Sequence, residues 1–490
     1  MTRSTVAETR KTIVVLGASY AGHRAIHVLH SLLPKDCRIV VLERNTHANH
    51  LYAFPRMSVI EGHEEKVFIP YTNIFRPDRV NRPPRKGEVP AKEEEEEEER
   101  LRKDSSRHTL IHCHVEKLDG GRQLVGFKLL SGGDEGGFSS LQGEGLRWVK
   151  YDYLIYALGS HLPSPINIWS NIASGGEQLP SGTKLQGVEW LRSAQGRIAI
   201  ANDIVVVGGG ALGVQFSSDI ASLYGSSKRV SLIHSRERLL PRFDKWMHDT
   251  TVSELERLGV RLLLGSRVDP KSLEELEGDE QEVRTKKIRT VRGDSVEADL
   301  VLFCTGQKPN VDLIRGLSSD CLSPDSNMIR VARTLQVATT TETGTSVSEE
   351  GLRNVFAIGD AADAFGAINA GHTAWTQAEV AARNLVRLVV RDELLGEKEG
   401  SRKDAHEEEE EGRESVENQY RSLSKVLGDQ LEEYVAPPPS IKVSLGLHQS
   451  IQQTQKGEFF IKSGRTDCKL DLNSPIMWTR RGLSTEDMSI

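Results

Sequence analysis

Cysteine is scarce and nowhere clustered: Cys37, Cys113, Cys304, Cys321 and Cys468 lie far apart in the 490-residue chain, with no C-x-x-C pair. That excludes a disulfide framework, a cysteine metal site and a vicinal redox dithiol, and reads as the reduced cysteines of an intracellular protein. No apolar run reaches the roughly 18 residues of a membrane span. The N-terminal stretch MTRSTVAETRK has no apolar core and no Met-Gly start, so neither a secretory signal nor a myristoyl anchor is expected there. Positive charge is also in deficit, with 63 Lys+Arg against 70 Asp+Glu and a net charge of −7, which argues against a nucleic-acid partner. His47, His50 and His63 are not at metal-ligand spacing, so no metal is expected.

Glycine, by contrast, sits where it carries chemistry. Asp203 to Val207 (DIVVV) is a buried-strand pattern that runs into Gly208, Gly210 and Gly213, spaced G-x-G-x-x-G. A helical pattern follows to about Tyr224, then a second strand from Arg229 to His234. Strand, glycines, helix and strand in that order form a βαβ opening. Its backbone N–H groups can approach a pyrophosphate at a helix N-terminus, where the helix dipole favours negative charge. The start of the chain repeats the layout. Thr12 to Leu16 leads into Gly17, Ser19, Ala21 and Gly22, a helix to about Leu33, and a strand ending at Glu43. Ser19 replaces the middle glycine, and Glu43 falls near the ~20-residue offset at which an acid meets a ribose diol.

Further on, YDYLIYALGSHLP (151–163) and DLVLFCTGQKPN (299–310) share a layout of acid, apolar strand, glycine and proline, which implies an internal duplication. VFAIGD (355–360) ends in Gly359-Asp360, and a helix is expected from about His372 to Val390. Two acidic stretches interrupt this order. Residues 78–107 hold seven consecutive glutamates, and 391–437 hold a second acidic run; both compositions predict disorder. The expected class is α/β with two Rossmann-like dinucleotide-binding domains, the second inserted in the first, and a C-terminal α+β segment. The boundaries fall at 11–200 with 295–385, 201–294, and 438–490.

These ordered motifs resemble the pyridine nucleotide–disulfide oxidoreductase superfamily, across nearly all of 11–390. Within it, VLGASYAG, AFPRMSV, YALGSHLPSP and SLIHSRERLLP look most like the apoptosis-inducing-factor-like, ferroptosis-suppressor type of NAD(P)H:quinone oxidoreductase. The resemblance implies FAD on the first βαβ unit and NADPH or NADH on the second. Matching positions are Gly17, Ser19, Ala21, Gly22, Glu43 and Asp360 for FAD, and Gly208, Gly210 and Gly213 for the nicotinamide cofactor. Arg56, Gly159, Gly306 and Gly359 complete the expected cofactor-binding set. His234 and Arg236, with Arg238 close behind, suit a 2′-phosphate and hence NADPH, because guanidinium pairs with phosphate in bidentate fashion; solvated residues and acceptance of both nucleotides are the alternative.

The chain departs from the pattern at two places. Gln215 stands where relatives commonly carry Glu facing the nicotinamide, and the stretch 361–372 lacks the lysine found after Gly-Asp in the quinone reductases. Catalytic positions are therefore the least defined, with Gln215, His372 and Gln377 as candidates and Trp375 as either core or acceptor platform. The expected activity is hydride transfer from NAD(P)H to flavin and electron delivery to a small acceptor, a quinone. A flavin-bound redox sensor of the cell-death type and the reductase of an iron–sulfur carrier are the alternatives. The expected location is cytoplasmic; a homodimer and peripheral contact with an intracellular membrane, such as the mitochondrial outer membrane or a lipid droplet, stay open.

Overall fold

The computed structural model describes residues 11–76, 107–130, 139–140, 145–169, 181–274, 285–341, 344–347, 352–400, 410–464 and 469–489. They divide into two compact units: Met1–Thr46 with Tyr71–Ser160 and Pro309–Ala436, and His47–Pro70 with His161–Lys308 and Pro437–Ile490.

The first unit is built on an eight-stranded sheet. Its order is Val355–Ala357, Tyr153–Tyr156, Lys11–Leu16, Cys37–Glu43, Thr109–Asp119, Leu124–Leu129, Arg147–Lys150 and Ser139–Ser140. The first five strands are parallel and the rest pair antiparallel. Ile13 to Leu16 and Leu154 to Ile155 are fully buried, as expected of parallel strands covered on both faces, which read as continuous apolar runs. The helices Tyr20–Leu32 and Gly371–Gly400 pack on each other against this sheet.

The second unit has a four-stranded parallel sheet in the order Arg261–Leu263, Arg229–Ile233, Asp203–Val207 and Leu300–Phe303. The helix Ala211–Tyr224 follows the 203–207 strand. A core of Val205, Ile233, Ile288, Val296, Ala298 and Val301 lies beneath it. A three-stranded antiparallel sheet, Ile441–Ser444, Gln449–Gln453 and Phe459–Ser463, packs on the 211–224 helix through Val443, Leu445 and Ile451.

Both βαβ openings match their sequence patterns, but several boundaries are corrected. Residues 47–70, 161–200 and 295–308, expected in the FAD domain, cluster with the second unit, and so does 438–490, expected as a segment by itself. The region 391–437 is not a disordered linker among its described residues. The helix begun at Gly371 continues to Gly400, and a second helix spans Glu410–Leu427. Composition hid its anchors: Tyr420 is fully buried and donates to both Asp36 oxygens at 2.9 and 3.0 Å, while Arg383 holds Glu432 with two bonds of 2.7 Å. The acidic insertion expected over 78–107 lies outside the described residues apart from Arg107, whose guanidinium donates to the Pro34 carbonyl.

Candidate cofactor-binding sites

In the first unit the strand register converges three turns. Leu16 pairs with Tyr156 and Tyr156 with Ala357, so the turns after these strands emerge side by side at the carboxyl edge of the sheet. This edge is where open parallel sheets bind ligands. Gly17 takes φ +86°, and a Cβ on it would sit 2.6 Å from the Ala157 carbonyl oxygen. A Cβ on Gly22 would overlap the Gly17 carbonyl oxygen, so the helix can start this close to the strand only without a side chain there. Ser19 is the N-cap and its hydroxyl makes no capping bond. Ala21 is buried behind it, with its Cβ facing Gly359.

Glu43, nearly buried, holds the loop directly. Its Oε2 accepts the Ala18 N–H at 2.6 Å, and Oε1 accepts from the Asn45 backbone and side chain at 2.9 and 3.0 Å. At the neighbouring turn, Asn310 donates its backbone N–H to the Gly159 carbonyl and its amide to the Leu158 carbonyl. The Ser160 hydroxyl donates to Asp360 at 3.2 Å. Gln377 accepts the Gly359 N–H at 2.7 Å, so it holds the Gly-Asp turn; His372 is exposed at the start of the same helix, and Trp375 is half-buried. The roles of Asn310, Ser160 and Asn45 were not legible in the sequence. For Asn310 the only signal was its place four residues after Gly306, the glycine of the repeated motif.

The second unit builds a similar cradle by itself. Val207 pairs with Ile233 and Phe303, which brings Gly208, His234 and Gly306 to one edge. A Cβ on Gly213 would overlap the Gly208 carbonyl oxygen, and Gly210 caps the 211–224 helix with open space in front of it. Arg236 is exposed, and among the described residues its guanidinium has no hydrogen-bond or ion-pair partner, whereas Arg238 donates to the Phe243 carbonyl at 2.9 Å. His234 has both ring nitrogens engaged by protein, Nδ1 with the Gly209 N–H and Nε2 with the Arg238 carbonyl.

Two expected contacts fall elsewhere. Arg56 is fully buried, with Nε and Nη2 on the Asp219 carboxylate at 2.8 and 2.9 Å and Nη2 also on the Gly446 carbonyl at 2.7 Å. Its donors are spent on protein, which makes it a structural ion pair. Gln215 is likewise buried, its amide donating to Ser444 Oγ at 3.1 Å on the C-terminal sheet. No group of three or more His, Cys, Asp or Glu side chains among the described residues could hold a metal. Cys37, Cys113, Cys304 and Cys321 are in no disulfide. Burial pushes the Cys37 thiol up to about 12, helped by Asp36, and pushes Cys304 up as well, so neither is a ready thiolate.

Each cradle thus pairs a glycine-lined helix N-terminus with polar groups suited to a dinucleotide, and the residues present fit FAD on the first unit and NAD(P)H on the second. The comparisons agree. The chain is 46% identical over 480 residues to Fe-regulated protein 8 of Mycosarcoma maydis, covering 98% of this chain and 97% of that protein. It is 28% identical over 393 residues to human ferroptosis suppressor protein 1, covering 79% and 84%. Its fold is similar to that of the ferredoxin reductase for the CYP199A2 system from Rhodopseudomonas palustris, with a TM-score of 0.53 at 15% identity over 90% of this chain and 82% of that one. Residues 11–383 match the pyridine nucleotide-disulphide oxidoreductase family, and the chain belongs to it, as an oxidoreductase of FAD and NAD(P)H.

Proposed function

We propose that this protein passes reducing equivalents from NADPH, or from NADH less efficiently, through FAD to a small quinone-type acceptor. The observation that carries the reading is the pair of glycine-lined cradles in a family oxidoreductase that has no two cysteines close together in sequence. A family member that reduces disulfides through a vicinal dithiol needs such a pair, so that route is closed here, and a small diffusible acceptor is the reading we favour. When bound, FAD supplies the chemistry itself, taking a hydride from the nicotinamide and releasing two electrons to the acceptor.

The chain's residues bind and orient. The Gly17–Gly22 turn and the N-terminus of the 20–32 helix receive the FAD pyrophosphate. Glu43 keeps unused lone pairs for the ribose diol while tethering Ala18. Asp360, steadied by Ser160 and by Gln377 on Gly359, accepts the ribityl hydroxyls. The Gly208–Gly213 turn receives the nicotinamide nucleotide, and the free guanidinium of Arg236 meets the 2′-phosphate. Hydride transfer needs no base, so the engagement of Gln215 with Ser444 does not impair it.

No described helix is long and apolar enough to cross a membrane; a cytoplasmic location with peripheral contact to an intracellular membrane belongs to the same proposal. The reading is tested by steady-state NADPH oxidation with and without a soluble quinone. Turnover should depend on the quinone, and Arg236→Ala should lower kcat/KM for NADPH roughly tenfold with little effect on NADH. Turnover indifferent to quinone would remove the acceptor assignment.

A further inference from the structure

We propose that His234 is a positioning residue that latches the glycine-rich loop of the second unit in its pyrophosphate-receiving shape; this rests on the nucleotide-binding reading above. The Gly209 peptide is held from one side only. Its N–H donates to His234 Nδ1 at 3.1 Å, and its carbonyl accepts the Leu240 N–H at 2.9 Å. The His234 Nε2–H in turn donates to the Arg238 carbonyl at 3.1 Å, which assigns the neutral Nε2–H tautomer. The ring also explains the residue at 209: a Cβ there would come within 2.6 Å of His234 Cγ and Cδ2 and would overlap Leu239. With Gly209 fastened to the 234–240 loop, Gly210 faces open space at the N-cap of the 211–224 helix, where the first N–H groups of a helix have no partner within it and can meet a phosphate.

A histidine contacting the 2′-phosphate would need a free donor, and this ring has none. A latch acts on the pyrophosphate shared by both nucleotides, so its loss weakens NADPH and NADH equally. It also titrates, because an imidazolium has no lone pair for the Gly209 N–H. Burial holds the His234 pKa below the ordinary ~6.5, the Arg238 carbonyl opposes the shift and Arg236 adds to it. The charged groups around the ring are Arg236, Glu237 and Arg238 of its own loop, Arg292 paired to Glu237, and His248 bonded to the Leu239 N–H.

The test is calorimetric binding of NAD⁺ and NADP⁺ to the flavin-loaded protein between pH 5 and 8. NAD⁺ gives the cleaner profile, since a phosphate monoester itself titrates near pH 6. Wild-type affinity for NAD⁺ should fall as the pH drops below about 6.5. His234→Asn, whose amide oxygen can accept the Gly209 N–H, should bind within about threefold of wild type at pH 8 and show no acid limb. His234→Gln should bind both nucleotides about tenfold more weakly at every pH. If His234→Gln does not fold, as judged by flavin content and thermal midpoint, the Asn profile decides alone. A loss confined to NADP⁺, an acid limb that persists in His234→Asn, or wild-type affinity in His234→Gln overturns the latch while leaving the nucleotide site in place. Wild-type protein that binds neither nucleotide at any pH overturns the site itself, and the latch with it.

Discussion

Glu43 shows how one carboxylate can serve both the fold and a ligand. It accepts the Ala18 N–H inside the first glycine-rich turn and the Asn45 N–H beyond the strand, so it sets the shape of the turn before any ribose arrives. Glu43→Ala removes a charge-assisted bond and, on the proposed binding mode, the ribose contact together. FAD should then bind roughly ten- to a hundredfold more weakly, measured as flavin retained through gel filtration. Gly213→Ala tests the second cradle separately. Its Cβ would overlap the Gly208 carbonyl oxygen, so nucleotide binding should be lost while bound flavin is retained. The glycines were legible because their spacing is the signal. The partners were not: His234 read as a phosphate ligand, Gln215 as a nicotinamide contact and Arg56 as a cofactor contact, yet each is taken up by protein groups, His234 by Gly209 and Arg238, Gln215 and Arg56 by Ser444 and Asp219 far along the chain.

At the scale of elements, the helix after the second glycine-rich loop is held by segments that no sequence pattern connects. Arg56 and Asp219, 163 positions apart, form a fully buried pair that also reaches the Gly446 carbonyl. Removing one partner strands the other charge, so Asp219→Ala should cost about 3–5 kcal/mol in denaturant unfolding. The C-terminal tail is fastened to the same unit by Trp478, which is buried and donates to the Lys66 carbonyl at 2.9 Å. Sequence periodicity finds strands and helices but not which remote strand covers a helix, and that explains why 438–490 read as separate. The helix Glu410–Leu427 was hidden differently: its acidic composition signals disorder, while Tyr420 supplies the anchoring contact.

Across the whole molecule, buried neutral histidines couple stability to pH. Burial, then Arg107 and His30, lower His108 to about 3, and its Nδ1 accepts the Ile39 N–H at 3.0 Å. Burial, then Arg481 and Arg480, lower His50 to about 4. Both groups bind a proton more readily in the unfolded chain, where the pKa is near 6.5. Their stabilisation is therefore complete above about pH 6.5 and is lost as the pH falls toward 3–4. Unfolding free energy should fall on acidification through this window by on the order of a few kcal/mol, and His108→Asn should flatten part of the slope. The order of the five motifs carried the overall architecture, because each glycine-rich turn must follow a buried parallel strand.

The central claim is that two dinucleotide cradles in one chain join a nicotinamide donor to a flavin and a small acceptor. The most direct measurement is an anaerobic titration of the purified protein with NADPH and then NADH, following the flavin absorption, with a quinone added at the end. Bleaching should occur at lower concentrations of NADPH than of NADH, with prompt recovery of the oxidised spectrum on adding the quinone. Protein that carries no flavin, or flavin that neither nucleotide bleaches, would contradict it.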